Sequence, residues 1–112
     1  MPGYALAALL LLGAAAAWAA QPPAYSVIVG TVWDAGDRPA PDLVVKIRRA
    51  ERTKPQWELR TNSHGEFAQR LPAGAADYVV WAEVNGRRRP ETEVKVHIDY
   101  DERQDIGLHL KQ

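Results

Sequence analysis

The stretch 61–78 constrains the fold more than any other part of the chain, because two turns and a strand are written into it. Asn62, Ser63, His64 and Gly65 form a polar cluster ending in glycine, the composition of a tight reversal between strands. Phe67, Gln69 and Leu71 then alternate with Glu66, Ala68 and Arg70, the period of a half-buried strand. Pro72, Ala73 and Gly74 are expected to stop that strand, since proline cannot donate to a ladder and glycine accepts a positive φ. Tyr78 is read as the opening of the next strand.

The same period recurs on both sides of this stretch. From Tyr25 onward the residues are β-prone, and Ile28, Gly30 and Val32 alternate with Val29, Thr31 and Trp33, which predicts a first strand. Residues 34–41 hold three turn-forming Asp and Gly side chains and two prolines, with no periodic apolar residue. Leu43, Val45 and Ile47 alternate with Val44, Lys46 and Arg48, a second strand with an apolar inner face and a largely basic outer one. Residues 49–55 read as a charged loop, and Trp57 and Leu59 then share the inner face of a third strand. After the fourth strand, at 66–71, Tyr78, Val80, Ala82 and Val84 lie opposite Val79, Trp81 and Glu83. Asn85 and Gly86 follow, the strongest short-range hairpin signal, because both central positions of a type I′ turn need positive φ. Val94, Val96 and Ile98 give a sixth inner face, with Lys95, His97 and Asp99 outside. An acidic turn at 99–105 is expected to close a last hairpin onto Ile106, Leu108 and Leu110. Seven short strands with close turn signals, and no amphipathic helix after the N-terminal segment, predict an all-β, seven-stranded antiparallel sandwich.

The N-terminal segment has a different character. Residues 5–17 are only Ala, Leu and Gly, the first charged side chain is Asp34, and Ala17, Trp18 and Ala19 supply a small-x-small site. Residues 1–19 therefore read as a signal peptide, with cleavage after Ala19 or Ala20, although no Lys or Arg precedes the apolar run. A retained anchor is the competing reading, and the run lies near the short limit of roughly 17 to 25 residues needed to span a bilayer. Residues 20–24, with Pro22 and Pro23, form a stiff linker, and the domain occupies 25–112. The expected compartment is periplasmic or extracellular, that of a secreted protein. A mature chain of roughly 92 residues buries enough for one modest core. The sequence has no cysteine, so this small exported domain relies on packing without disulfides. With 14 basic and 14 acidic side chains there is no global field to attract nucleic acid or an anionic surface.

Gly30, Val32, Asp34, Gly36 and Pro41, then Val45 and Ile47, then Thr61, Asn62, Gly65 and Phe67, then Leu71, Pro72, Gly74 and Tyr78 carry a recognisable pattern. It resembles the carboxypeptidase regulatory-like domains, relatives of the transthyretin-like (prealbumin-like) sandwich, over about residues 28–84. Asn62 stands where an aspartate is usual, and Ala75, Ala76 and Asp77 lengthen the gap between Gly74 and Tyr78. The resemblance implies an immunoglobulin-like sandwich and a non-catalytic accessory or interaction role. Transthyretin-like proteins also include hydrolases of 5-hydroxyisourate, which carry a histidine near the start of the domain and a Tyr-Arg-Gly-Ser tail. Here the domain starts Tyr25, Ser26, Val27 and ends His109, Leu110, Lys111, Gln112, so that reading fails at both ends.

Chemistry-bearing residues are few. His97 and His109 are expected to point outward on the last hairpin as neighbours, with His64 apart in a turn, and no cysteine or carboxylate completes a metal-ligand spacing. Asp99, Asp101, Glu102 and Asp105, like Asp34, Asp37 and Asp42, lack the glycine and alternate spacing of a calcium loop and read as turn chemistry. No serine or threonine has a plausible base and orienter, and no asparagine follows Asn85 to complete an isopeptide crosslink. The expectation is a protein with no catalytic residues, no cofactor and no metal. What remains is aromatic and basic: Trp33 and Trp81 on outward strand faces, and Arg87, Arg88 and Arg89 after the Asn85 turn. Outward tryptophan stacks on sugar rings or arginine, and both residue types are enriched at binding hot spots; cross-strand pairing within the sheet is the alternative role. Two functions follow as expectations: an envelope-protein interaction module using a sheet edge or the Trp33 and Trp81 face, or a carbohydrate-binding module stacking polysaccharide on those tryptophans. The protein is expected to be monomeric, with no membrane insertion after signal cleavage.

Overall fold

A computed structural model describes residues 24–84 and 92–111. Its strands are β1 (Tyr25–Trp33), β2 (Val44–Arg49), β3 (Trp57–Arg60), β4 (Glu66–Pro72), β5 (Ala76–Glu83), β6 (Glu93–Ile98) and β7 (Arg103–His109). They form two sheets, β4-β1-β7 and β3-β2-β5-β6, an all-β sandwich. The predicted alternation sets the faces: Ile28, Val32, Val45, Ile47, Phe67, Leu71, Tyr78, Val80, Val96, Ile98 and Leu108 are buried between the sheets. Trp57 and Leu59 pack against this core partly buried, and the Trp57 ring meets the Tyr78 ring edge-on at 5.8 Å.

Three expectations need correction. The sandwich is not wholly antiparallel, because β7 runs parallel to β1, pairing Val27 with Arg103 and Trp33 with His109. The acidic segment after β6 is therefore no hairpin: it carries the chain from the edge of one sheet to the edge of the other. Pro72, paired with Tyr25, is the last residue of β4, so the strand stops there as expected; β4 is an edge strand, where a missing N–H costs no ladder bond if it faces outward. The fifth strand opens at Ala76, two residues before Tyr78, because Ala76 and Asp77 already pair with Ile98 and His97.

The stretch that dominates the sequence also ties the two sheets. Gly65 has φ of 72° and its carbonyl accepts from Val32 N–H at 2.8 Å; a Cβ there would lie 2.8 Å from the Val32 carbonyl oxygen and 2.9 Å from Ala40 N. Only glycine fits that approach. Asn62 Oδ1 accepts from the N–H groups of His64 (2.9 Å) and Glu66 (3.0 Å), so an amide serves the turn where the related pattern has a carboxylate. Buried Thr61 donates its hydroxyl to the Ala40 carbonyl at 2.7 Å and accepts from Leu43 N–H at 2.9 Å, pinning the loop before β2. That loop is itself organised by Asp34, whose Oδ1 accepts from Gly36 N–H and Arg38 N–H. Gly30 pairs with Phe67 across β1 and β4, and the ring lies over the missing side chain.

Candidate functional site

The residues singled out from sequence occupy two separate outer surfaces. Trp33 projects from β1 in one sheet and Trp81 from β5 in the other, each away from the core, so they lie on opposite faces of the sandwich. Alternation fixes which side of a strand a residue takes, and both readings were right in that respect; it does not say which sheet the strand joins. Arg87, Arg88 and Arg89, the Asn85–Gly86 turn and the signal segment 1–19 lie outside the described residues.

On the β3-β2-β5-β6 face, strand register places Glu58, Lys46, Trp81 and Glu93 in one row. Lys46 Nζ lies 2.6 Å from Glu83 and 3.6 Å from Glu58, and the bond to Glu83 holds the ammonium above its usual lysine range. Trp81 is thus half-buried inside a charged ladder. Val79, in the next row between Arg48 and Lys95, is only 3% exposed although it points outward, because long side chains lie beside it. Arg48 turns back to donate to the carbonyls of Arg49, Ala50 and Arg52, which shapes the loop after β2.

At the end of this face, Asp77 on β5 stands opposite His97 on β6. His97 Nδ1 lies 2.6 Å from Asp77 Oδ1 and Nε2 lies 2.8 Å from Asp99 Oδ1. Both partners are carboxylates that accept, so only the protonated ring donates to both at once, and the Asp77 bond followed by the Asp99 bond raises its pKa. Beside this clasp is a depression of about 400 Å³ lined by Ala50, Asp77, Tyr78, Lys95, Val96 and His97. The outer edge of β6 pairs with no described strand.

His109 is not a neighbour of His97, as the expected hairpin would require. It lies on the opposite face, where its ring runs nearly parallel to Trp33 (13°) with centroids 6.2 Å apart. Pro39 bridges Trp33 on the other side. Tyr25, at the far end of β1 on this face, is 45% exposed and carries the Arg70 guanidinium 4.5 Å from its ring centroid. The sequence reading missed Tyr25, although its parity with Trp33 along β1 was the available signal. Of the acidic turn residues, Asp99 serves His97 and Asp105 accepts from Arg103 Nε at 2.9 Å. Among the described residues no group of three or more His, Cys, Asp or Glu side chains gathers to hold a metal ion. No described helix is long and apolar enough to cross a membrane.

No protein-family model matches the chain, and no curated protein matches it in sequence. Solved structures do resemble it. It superposes on Klebsiella pneumoniae 5-hydroxyisourate hydrolase with a TM-score of 0.55 at 21% identity, covering 75% of this chain and 90% of that one. The Bacillus anthracis TIE protein gives a TM-score of 0.58 at 22% identity over 79% of this chain and 16% of that one. An (S)-allantoin synthase gives 0.58 at 15% identity over 79% of this chain, which spans 41% of the synthase structure. At these identities the likeness concerns architecture alone: the chain folds as a transthyretin-like, that is prealbumin-like, β-sandwich.

Proposed function

We propose that the protein is an exported, non-catalytic accessory module of the cell envelope, of the carboxypeptidase regulatory-like kind, that binds a protein partner through the edge of β6. The observation that carries this reading is the edge itself: among the described strands β6 ends its sheet, its outer backbone groups pair with none of them, and a partner strand would complete that ladder. The adjoining depression beside Ala50, Tyr78 and Val96 supplies room for one side chain of that partner, with Lys95 and the Asp77–His97 pair at its margin. Arg87, Arg88 and Arg89 precede β6 in sequence and would add cationic steering to the encounter. The expected setting is the periplasm or the extracellular space, with the module monomeric until it meets its partner.

The test is site-specific photo-crosslinking in the native cells. A crosslinking residue in place of Lys95 should give one discrete adduct, and the same residue in place of Glu58, on the opposite edge strand β3, should give none. Equal adducts from both positions, or none from Lys95, would remove the edge from consideration. The carbohydrate reading, in its form requiring Trp33 and Trp81 together, loses its geometry because the two rings face opposite ways.

A further inference from the structure

The edge strands β3, β4, β6 and β7 each carry both an acidic and a basic side chain on the outward face: Glu58 and Arg60, Glu66 and Arg70, Glu93 and Lys95, Arg103 and Asp105. Three of these edges are already committed. On β3, Glu58 lies 3.6 Å from Lys46 and Arg60 lies 3.3 Å from Asp42. On β4, Pro72 has no N–H to offer, the Arg70 carbonyl accepts from Gln69 Nε2 at 2.9 Å, and the Arg70 guanidinium lies 4.5 Å from the Tyr25 ring centroid. On β7, Arg103 donates to Asp105 at 2.9 Å and the His109 carbonyl accepts the Thr92 hydroxyl at 3.0 Å. Sheets blunt their edges in such ways.

β6 is different. Its exposed residues Glu93, Lys95 and His97 alternate with Val94, Val96 and Ile98. His97 is occupied by Asp77 and Asp99, whereas Glu93 and Lys95 have no ion-pair partner among the described residues. A strand laid antiparallel on this edge sets residues of the same face directly opposite one another, about 4.5–5.5 Å apart. If that strand is β6 of a second copy, the position of the two-fold axis fixes every pair. An axis beside Val94 sets Glu93 opposite Lys95 of the second copy, and does so twice, with the two Val94 side chains facing each other. An axis beside Glu93 or Lys95 opposes like charges, and one beside Val96 sets Lys95 against the protonated His97 ring. Charge therefore selects the Val94 register.

We propose that the strand completing β6 is β6 of a second copy of this chain, paired antiparallel about Val94, so that two four-stranded sheets join into one. This rests on the β6 edge as the recognition site and adds the identity of the partner.

The experiment is sedimentation velocity on the exported full-length protein and its charge variants, from about micromolar to about millimolar concentration. Wild type is expected to dimerise, and to do so less tightly as salt rises, because exposed charge pairs are screened. Glu93→Lys and Lys95→Glu should each weaken self-association at least about tenfold, since the axis makes each reversal count twice. Mixed together, the two variants should form a dimer within about threefold of wild-type affinity, because each supplies the charge the other lacks. Recovery on mixing also shows that both variants are folded. A wild type still monomeric at about 1 mM overturns the proposal. So does wild-type self-association in either single variant, or a mixture that stays monomeric while both variants keep the wild-type circular dichroism spectrum. A monomer whose Lys95 position crosslinks to a different protein removes the second copy and leaves the edge as a recognition site; a monomer with no adduct removes both.

Discussion

Gly30 and Phe67 form a pair whose energetics can be worked from geometry. A methyl group at Gly30 would lie 2.7 Å from Phe67 Cε1 and 3.0 Å from Ile106 Cγ1, and closer still to Cζ. Replacing glycine by alanine in a strand ordinarily helps by about 0.5–1 kcal/mol, because the unfolded chain has fewer states to lose. Overpacking opposes it by about 1–3 kcal/mol, and the upper part of that range applies because the ring is itself buried and β1 is held by strands on both sides. Gly30→Ala should therefore lose about 2 kcal/mol net, or about 10 °C in Tm for a domain of this size. Phe67→Leu alone should lose about 1–2 kcal/mol through the vacated ring volume. In the double variant the methyl group occupies part of that volume, so the losses should fall short of their sum by about 1 kcal/mol. Urea unfolding followed by tryptophan fluorescence measures all four corners of the cycle, with an unchanged m-value expected. A neutral or stabilising Gly30→Ala, or additivity within about 0.3 kcal/mol, would refute the account of Phe67 as the cover for Gly30.

Gly65→Ala should cost more than Gly30→Ala, about 3 kcal/mol or above, because its obstacles are the backbone of Val32 and Ala40 and its φ is 72°; trimming Pro39 should not rescue it in thermal unfolding. Thr61→Val keeps the shape but removes the hydroxyl joined to Ala40 and Leu43, and should cost about 2 kcal/mol in urea unfolding. His97 should titrate above the ordinary histidine value of about 6.5, because Asp77 and Asp99 hold the charged form. A raised folded pKa means the clasp's stabilisation is complete below that ordinary value and is lost as pH rises through the folded one. The stability difference between wild type and His97→Gln should follow that course across pH 5 to 9, with the folded pKa read from imidazole NMR shifts; a folded pKa at or below about 6.5 would contradict the clasp.

What was legible in the sequence follows from period two. The inner residues of all seven strands, the turn at Gly65 and the outward direction of Trp33 and Trp81 came from alternation and glycine placement. Sheet membership did not, because a strand leaving one sheet for the other has the same alternation as one returning in a hairpin. The acidic turn chemistry around Asp99 and Asp101 suits either path, so the parallel pairing of β1 with β7 was invisible. The separation of His97 from His109 follows from that one unseen crossing, and that of Trp33 from Trp81 follows from β1 pairing with β4 while β5 pairs with β2. The His97 clasp was invisible for another reason: Asp77 is twenty residues away, and only the β5–β6 register brings it opposite.

The parallel strand also decides what each surface can do. By closing on β1, β7 makes it the central strand, with neighbours on both sides. Its outward residues Tyr25, Val27, Val29, Thr31 and Trp33 are therefore held on a backbone that no incoming strand can join. Any contact there has to go through side-chain faces. β6 is in the reverse position: its side chains are few and charged, while its outer backbone groups are free of any described partner. The proposed pairing at β6 would go through main-chain hydrogen bonds and should tolerate neutral Lys95 substitutions that keep the strand extended while failing with proline, which removes a donor.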